Sequence, residues 1–511
     1  MAGGDGQAYG VRHAMSERLV DVAIIGFGPA GATLANLLGQ TGLSVVVLEK
    51  EAAIYPLPRA IHFDGEVMRI FQSIGLRREV EGISRAGLKG MHFVNAEGET
   101  LLIRGGTTAT GPHGCASNYY FHQPELEQVL REGVGRFANV RVCLQHNVLD
   151  IQQHPDHACL QVEDTQSNRT YDIKARYVVG CDGARSLVRK ILGSSMQDLG
   201  LHQAWLVFDA RLKDNAPPLP DHTVQHCDPA RPMTYCNVTG NRRRWEIMLL
   251  PDDDPADMVK PDTLWSLVQR WVQPETAEIE RAAIYTFHSV IAQGWRAGRL
   301  MLAGDAAHQT PPFLGQGMCA ALRDASNLAW KLHAVLTGVA NDDLLDTYES
   351  ERAPHVQAFI ELAVRLGDII QTTDPEAAQA RDAKFRQGQP EIFQFPAPVL
   401  GDGMVAEGPA PVGQTFPQPQ LDNGQLLDEV IGNHFAVIAL PELLQQVSLQ
   451  TRAQWQQWQV VSQPAQDLGL RAWLDQHHVQ AVVVRPDRYI LGMANTSAQL
   501  DALSQQWFHS A

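Results

Sequence analysis

The chain has 511 residues, 44% of them hydrophobic and 19% charged, with a formal net charge of −16 at pH 7. The length exceeds one typical hydrophobic core, so two or three domains are expected. The acidic balance disfavours nucleic acid and anionic membrane as partners, although the charge inside a pocket is a separate, local matter. Seven cysteines, at 115, 143, 159, 181, 227, 236 and 319, form no Cys-x-x-Cys pair and no metal-ligand spacing. They predict no metal and fit a reducing compartment, and with no apolar run long enough to cross a bilayer the expected setting is the cytoplasm.

In chain order, residues 1–18 are Gly-rich and polar without the apolar centre of a signal peptide, and read as a disordered lead-in. Residues 20–25 are a short apolar run with the look of a buried parallel strand. They feed the turn Gly26-Phe-Gly28-Pro-Ala30-Gly31, and the Ala/Leu-rich run Ala32–Gln40 predicts a helix. In a Gly-x-Gly-x-x-Gly turn the first glycine permits the tight bend, and the second lets backbone approach a pyrophosphate. The third lets helix and strand pack closely, while the phosphates face free N–H groups at the positive end of the helix dipole. A second strand, Ser44–Leu48, ends at Glu49, eighteen residues beyond Gly31. A carboxylate there accepts hydrogen bonds from a ribose 2′-hydroxyl and repels a 2′-phosphate, so the unit predicts FAD or NAD rather than NADP.

The prolines of Ile54-Tyr-Pro-Leu-Pro-Arg59-Ala-Ile-His62 predict an extended loop, followed by helical spacing over Glu66–Ile74. Residues 91–103 read as strands around the Glu97-Gly98 turn, and Gln123-Pro124 opens another helix. Three strands are predicted over 140–179. The last runs into Gly180-Cys-Asp182-Gly183 and a Ser186-capped helix, a combination that alone is bland. Residues 202–290 alternate polar and apolar positions between Pro/Asp/Gly loops, and predict a mostly antiparallel sheet inserted into an α/β domain.

A further strand, from Arg299, delivers Gly304-Asp305 to the loop His308-Gln-Thr-Pro311-Pro312-Phe-Leu-Gly315-Gln-Gly317-Met318, ahead of a long helix to about Leu336. An acid at a strand end suits sugar-like hydroxyls such as a ribitol chain. The glycine-rich loop and helix terminus offer N–H dipoles to the negative charge of a reduced flavin. A helix from Leu344 to about Thr372 carries Pro354, a predicted kink. Residues 373–420, rich in Pro, Gln and Gly, read as a linker, and the tail reads as a small α/β domain without cysteine.

Taken in this order, the three glycine-and-acid stretches resemble the fingerprints of the single-component FAD-dependent aromatic hydroxylases, over about residues 20–370. Pro58-Arg59-Ala60, Arg243-Arg244-Trp245-Glu246, Thr310–Met318, Arg323-Asp324 and Tyr348-x-x-x-Arg352 are similar to the 3-(3-hydroxyphenyl)propionate and phenol hydroxylase group. Val484-Arg485-Pro486-Asp487-Arg488-Tyr489 is similar to that group's thioredoxin-like C-terminal domain. There is no second Gly-x-Gly-x-x-Gly, which separates the chain from two-dinucleotide reductases. The fold expected is therefore α/β: a Rossmann-like FAD-binding domain (19–201 and 291–372), a substrate sheet inserted at 202–290, the linker 373–420, and a thioredoxin-like domain at 421–511.

The resemblance implies FAD as cofactor, NADH or NADPH as reductant and O2 as oxygen donor, with oxygen passed from a C4a-hydroperoxide to a ring carbon ortho to a phenolate. It implies Gly26, Gly28, Ala30, Gly31, Glu49, Arg59, Gln123, Asp182, Gly304, Asp305, Pro312, Gly315, Gly317 and Met318 as cofactor-binding residues. Pro311 and Pro312 would shape the flavin face. A phenol of pKa about 10 needs a base or a hydrogen-bond donor; His62 is the first candidate, with Tyr235 and His226 on the inserted sheet behind it. The implied partner is a small aromatic molecule, and a homodimer is allowed. An oxidase or reductase of the same fold, and a non-catalytic flavin-binding module, are the competing readings.

Overall fold

A computed structural model describes residues 19–105, 109–387, 392–393 and 398–508; the predicted lead-in, residues 1–18, lies outside the described residues. The central element is an eight-stranded sheet. Val20–Ile25 lies between Val45–Glu49 and Arg169–Gly180, parallel to both. Val140–Leu144 extends the parallel set on one side and Leu300–Leu302 on the other. Over 22–25, 45–48 and 177–179 the central strands read as unbroken apolar runs because helices cover them: Val22, Ala23, Ile24, Val46, Val47, Val178 and Val179 are fully buried. The helix Pro29–Gly39 packs against Gly317–Leu336, the helix that follows the third motif. Residues 140–180 form four strands rather than three, because His146–Gln153 and Ala158–Asp164 make an antiparallel ladder beside Arg169–Gly180.

Register brings the three motifs together. Ile25 lies opposite Gly180, and Gly180 opposite Leu302. The turns beginning at Gly26, Cys181 and Ala303 therefore leave the carboxyl ends of three adjacent parallel strands, the edge at which open α/β sheets bind ligands.

The second sheet has nine strands and is mostly antiparallel. Its long members, Ser195–Leu212 and Ala277–Gln293, begin or end beyond the alternating segments that predicted them. Met91–Val94 and Thr100–Arg104, expected within the FAD-binding part, instead extend this sheet, with Met91–Val94 parallel to Thr223–His226. Their local pattern announces strands but not a partner, since pairing is decided by tertiary contacts. His308–Gln309, just beyond Asp305, pairs with Val290 and Ile291 and ties the loop after Asp305 to the second sheet. A three-stranded sheet, His62–Asp64 with Asn118–Phe121 and Ser84–Ala86, closes the third side.

The described residues between 373 and 420 are more ordered than a linker. They contain the helix Pro375–Arg386, capped by Asp374, and backbone hydrogen bonds join residues 413–416 to 488–490. The predicted kink at Pro354 leaves the helix Thr347–Ile370 unbroken. The tail sheet runs Val461–Pro464, Ala436–Ala439, Ala481–Val484, Ile490–Ala494, with the first pair parallel and the later pairs antiparallel. With its helices this is the thioredoxin-like arrangement, and residues 421–511 contain no cysteine to act in it. Among the described residues no helix is long and apolar enough to cross a membrane.

Candidate active site

A cavity of about 390 Å³ lies between the carboxyl edge of the parallel sheet and the second sheet. Its first wall is mostly backbone. A Cβ on Gly31 would stand 2.1 Å from the Gly26 carbonyl oxygen, so helix and strand meet at a distance only glycine allows. Gly28 is the N-cap of Pro29–Gly39 and opens on the cavity, and no side chain caps that helix. The helix Gly317–Leu336 is likewise uncapped by a side chain. Both helix termini thus leave N–H groups for an anionic ligand. Ala30, Gly183, Gly317, Met318 and Pro312 line the same space, while Pro311 is buried behind Pro312.

Asp305 projects into the cavity, and no described residue hydrogen-bonds its carboxylate. Surrounding protein raises its pKa above the ordinary carboxylate value, opposed by the charges of His308 and Arg59. A carboxylate held without a partner at a cavity wall is a site for hydroxyl donors. Asp182 spends one oxygen capping the next helix, at 2.7 Å from the Leu187 amide; its other oxygen is buried without a partner. The Glu49 carboxylate is held beside the Gly26 turn by the amides of Phe27 (2.7 Å) and Glu51 (2.9 Å). Gln123 fixes the Arg59 loop, its side-chain oxygen accepting the amides of Arg59 (2.9 Å) and Ala60 (2.6 Å). Arg59 itself lies against the Tyr55 ring and faces the cavity. Two uncapped helix termini, a glycine cradle and the unpartnered Asp305 carboxylate form a set of donors and an acceptor that fits FAD.

The opposite wall is made of side chains. Along Met233–Asn237 the two-residue period sends Thr234 and Cys236 into the cavity and Met233 and Tyr235 to the far face. Tyr235 is therefore removed from the catalytic candidates: it is fully buried against Trp245, and its hydroxyl donates to the Pro220 carbonyl at 2.9 Å. The same alternation along Thr223–His226 presents Thr223 and Gln225 and turns His226 onto Trp271. Burial lowers the His226 pKa to about 4. The Tyr120 and Thr223 hydroxyls pair at 2.8 Å, and the Thr234 hydroxyl donates to Gln225. Tyr120, Thr223, Gln225, Thr234 and Tyr285 were not picked out by motif. Alternation marks them as one face of a strand, but not which face meets a cavity.

His62 stands where the walls meet. Its Nε2 faces the Asn118 side-chain oxygen at 3.0 Å and its Nδ1 the Gly315 carbonyl at 3.4 Å. Burial, then the charge of Arg104, lower its pKa below the usual 6.5, against the opposing effects of Asn118, Asp64 and Gly315. The ring is consequently neutral near pH 7, in the form that accepts a proton. Gly315 has φ of +62°, and a Cβ there would stand 2.9 Å from His62 Nδ1, so this glycine serves both the backbone turn and the seat of the imidazole. Arg244 is largely committed to protein: four of its five N–H donors bond Asp209 at 2.7 and 3.1 Å and the carbonyls of Arg59 and Pro58 at 2.7 Å each, and its Nη1 also faces Glu246 at 3.7 Å.

A nucleotide cradle facing a wall of strand side chains across one mainly apolar cavity is the layout of an FAD-dependent aromatic monooxygenase. The FAD binding domain model matches residues 19–363, and the HcaD C-terminal domain model matches 413–510; the chain belongs to the FAD-binding-domain family of flavoprotein aromatic hydroxylases. It is 37% identical to a probable NADH-specific resorcinol 4-hydroxylase of Rhodococcus jostii, over 96% of this chain and 94% of that one. It is 34% identical to a 3-(3-hydroxyphenyl)propionate/3-hydroxycinnamic acid hydroxylase of Escherichia coli K12, over 93% and 92%. Among solved structures, the flavin-dependent monooxygenase PieE, in complex with FAD and substrate, matches with a TM-score of 0.81 at 20% identity, covering 97% of this chain and 100% of PieE. At that identity the likeness concerns the fold.

Proposed function

We propose that this enzyme hydroxylates a phenol of the resorcinol type next to its hydroxyl group, with NADH as reductant and O2 as oxygen donor, in the cytoplasm. The observation that carries the substrate class is the second wall. Its groups at Tyr120, Thr223, Gln225 and Thr234 are neutral hydroxyls and an amide, and its charged residues are turned onto protein groups: Arg244 onto Asp209 and Glu246, Arg281 onto Asp209 and the Pro58 carbonyl. Such a wall suits hydroxyl substituents on a ring better than a carboxylate.

FAD, when bound, supplies hydride acceptance and oxygen activation. The chain's own residues hold, align and shield. Gly26, Gly28, Ala30 and Gly31 receive the pyrophosphate, and Glu49 accepts the adenosine ribose hydroxyls through its remaining lone pairs. Asp305 accepts ribitol hydroxyls, while Asp182 holds the turn after Gly180 by capping the next helix. Arg59, Gln123 and Gly304 fix the loops around these contacts. Pro312, Gly315, Gly317 and Met318 form the face against the ring system, backed by Pro311, and exclude water there. His62, neutral at pH 7, donates Nε2–H to the Asn118 side-chain oxygen, which orients the ring, and accepts the phenol proton at Nδ1, which the Gly315 carbonyl approaches only to 3.4 Å.

The test is a panel of resorcinol, phenol and 3-(3-hydroxyphenyl)propionate, scored for NADH oxidation and hydroxylated product with FAD-loaded protein. Resorcinol should give the highest kcat/KM with one product per NADH. NADH oxidation without any hydroxylated product from the panel would favour the oxidase reading instead.

A further inference from the structure

The motif Arg485-Pro486-Asp487-Arg488-Tyr489 belongs to the C-terminal domain, yet its side chains enter the FAD-binding domain. Arg485 is fully buried between Asp487 and Glu351 of the helix Thr347–Ile370, each at 2.7 Å. Tyr489, 3% exposed, reaches further. Its hydroxyl lies 2.9 Å from Glu66 Oε1 and 3.2 Å from His355 Nε2. The proton directions follow from the partners. Arg352 only donates, so at 2.9 Å it makes His355 Nδ1 the acceptor. The neutral ring then carries its proton on Nε2 and donates to the tyrosine oxygen, whose own proton goes to Glu66. Burial supports both protonation states, holding His355 well below 6.5 and Tyr489 well above 10.

Two polar chains end on that hydroxyl. One runs from His355 to Arg352 and on to Asp324 (2.9 Å). The other oxygen of Asp324 takes His308 at 2.7 Å and the Gly304 amide at 3.1 Å. The second chain runs from Glu66 to Arg323 (2.6 Å), which also bonds Gln316 (3.0 Å) and Asp64 (2.5 Å). Gln316 closes the ring by donating to Asp64 at 3.1 Å. The first chain thus ends at the Gly304-Asp305 turn. The second ends at the Gly315–Gly317 loop and at the strand that carries His62.

We infer that Tyr489 is a positioning residue: through its hydroxyl the C-terminal domain holds the two ends of the 304–317 loop in register with His62. This goes beyond the substrate reading and rests on it only for which loop is catalytic. Buried networks of this kind fix one arrangement when every member is satisfied and loosen when one bond is lost. A loop that loosens at the oxygen-transferring face admits water, so reducing equivalents escape as hydrogen peroxide rather than product.

The experiment compares FAD-loaded wild type with Tyr489→Phe, which keeps the ring and removes the bridge. Glu66→Gln serves as a second variant acting on the same bridge from the other domain. Tyr235→Phe is the control, since it removes an equally buried hydroxyl that takes no part in the network. Hydrogen exchange followed by mass spectrometry should show amides in 304–319 exchanging about tenfold faster in both network variants, with 20–25 unchanged. Product formed per NADH should fall, and hydrogen peroxide should rise to match. The control should move neither readout. Unaltered exchange over 304–319 in both network variants would overturn the inference, whatever the substrate panel shows. If Tyr489→Phe does not fold, Glu66→Gln decides by the same criterion. If no phenol is hydroxylated by wild type, the substrate reading falls while the exchange readout still decides this one.

Discussion

The two walls of the cavity are built by different means. The flavin-side wall is backbone: turns that need glycine, uncapped helix termini, and single carboxylates at strand ends. The substrate-side wall is side chains, delivered by alternate positions of strands that are far apart in the chain. Backbone recognition ties function to a few residue types at fixed spacing, because close approach leaves no room for a Cβ. Side-chain recognition ties it to which face of a strand points inward, and tolerates many residue types there. Changes in the first wall should therefore abolish cofactor retention, and changes in the second should alter kinetics while FAD stays bound.

The hardest break is Gly31→Ala. A methyl group 2.1 Å from the Gly26 carbonyl forces helix and strand apart, and the FAD content of purified protein should fall by a factor on the order of 100. Full flavin absorbance in that variant would undo the backbone account of the first wall.

His62 sits at the seam and should show in the pH profile. Its pKa lies below 6.5, so its proton-accepting form prevails above that pKa. Wild-type activity should be near its plateau at pH 7 and decline as the pH drops through the lowered value. In His62→Ala the phenol's own ionisation takes over; activity at pH 7 should fall about 100-fold and climb toward pH 10. A variant profile parallel to wild type would remove His62 as the base.

Asp305→Ala should weaken FAD binding by about ten- to 100-fold, since hydrogen bonds to a charged group contribute about 1.5–3 kcal/mol; fluorescence titration of apoprotein with FAD reads this directly. Thr234→Val, on the second wall, should leave that titration unchanged and raise KM for resorcinol by roughly three- to tenfold, the loss of one hydrogen bond. The smallest effect belongs to Tyr235→Phe, which should cost about 1 kcal/mol of stability in a urea titration and leave kcat and KM alone. A kinetic defect there would reinstate Tyr235 in the site and contradict the strand alternation.

These contrasts also mark how far the sequence could be read. Gly26, Gly28 and Gly31, Asp182-Gly183 and Gly304-Asp305 were legible because each needs its residue type for a local reason, and the strands that lead into them end in apolar residues. Tyr235 was misjudged and Thr234 passed over because two adjacent residues of one strand differ only in the side of the sheet they face. Met91–Val94 and Thr100–Arg104 were legible as strands, but their place in the second sheet depends on Thr223–His226, some 130 residues later. The Arg485–Tyr489 motif stood out as a string, while its reach to Glu66 and His355 had no local signature.

What the sequence alone determined is the nucleotide-binding half of the protein: its strands, its turns and the chemistry of its carboxylates, since these follow from steric limits and hydrogen-bonding capacity within a dozen residues. Only the tertiary structure decided which side chains face the cavity, how His62 comes to rest on Gly315, and how a C-terminal tyrosine meets Glu66. Those contacts join residues separated by up to 423 positions, and pairing at that range is set by the packing of whole sheets and domains rather than by any pattern along the chain.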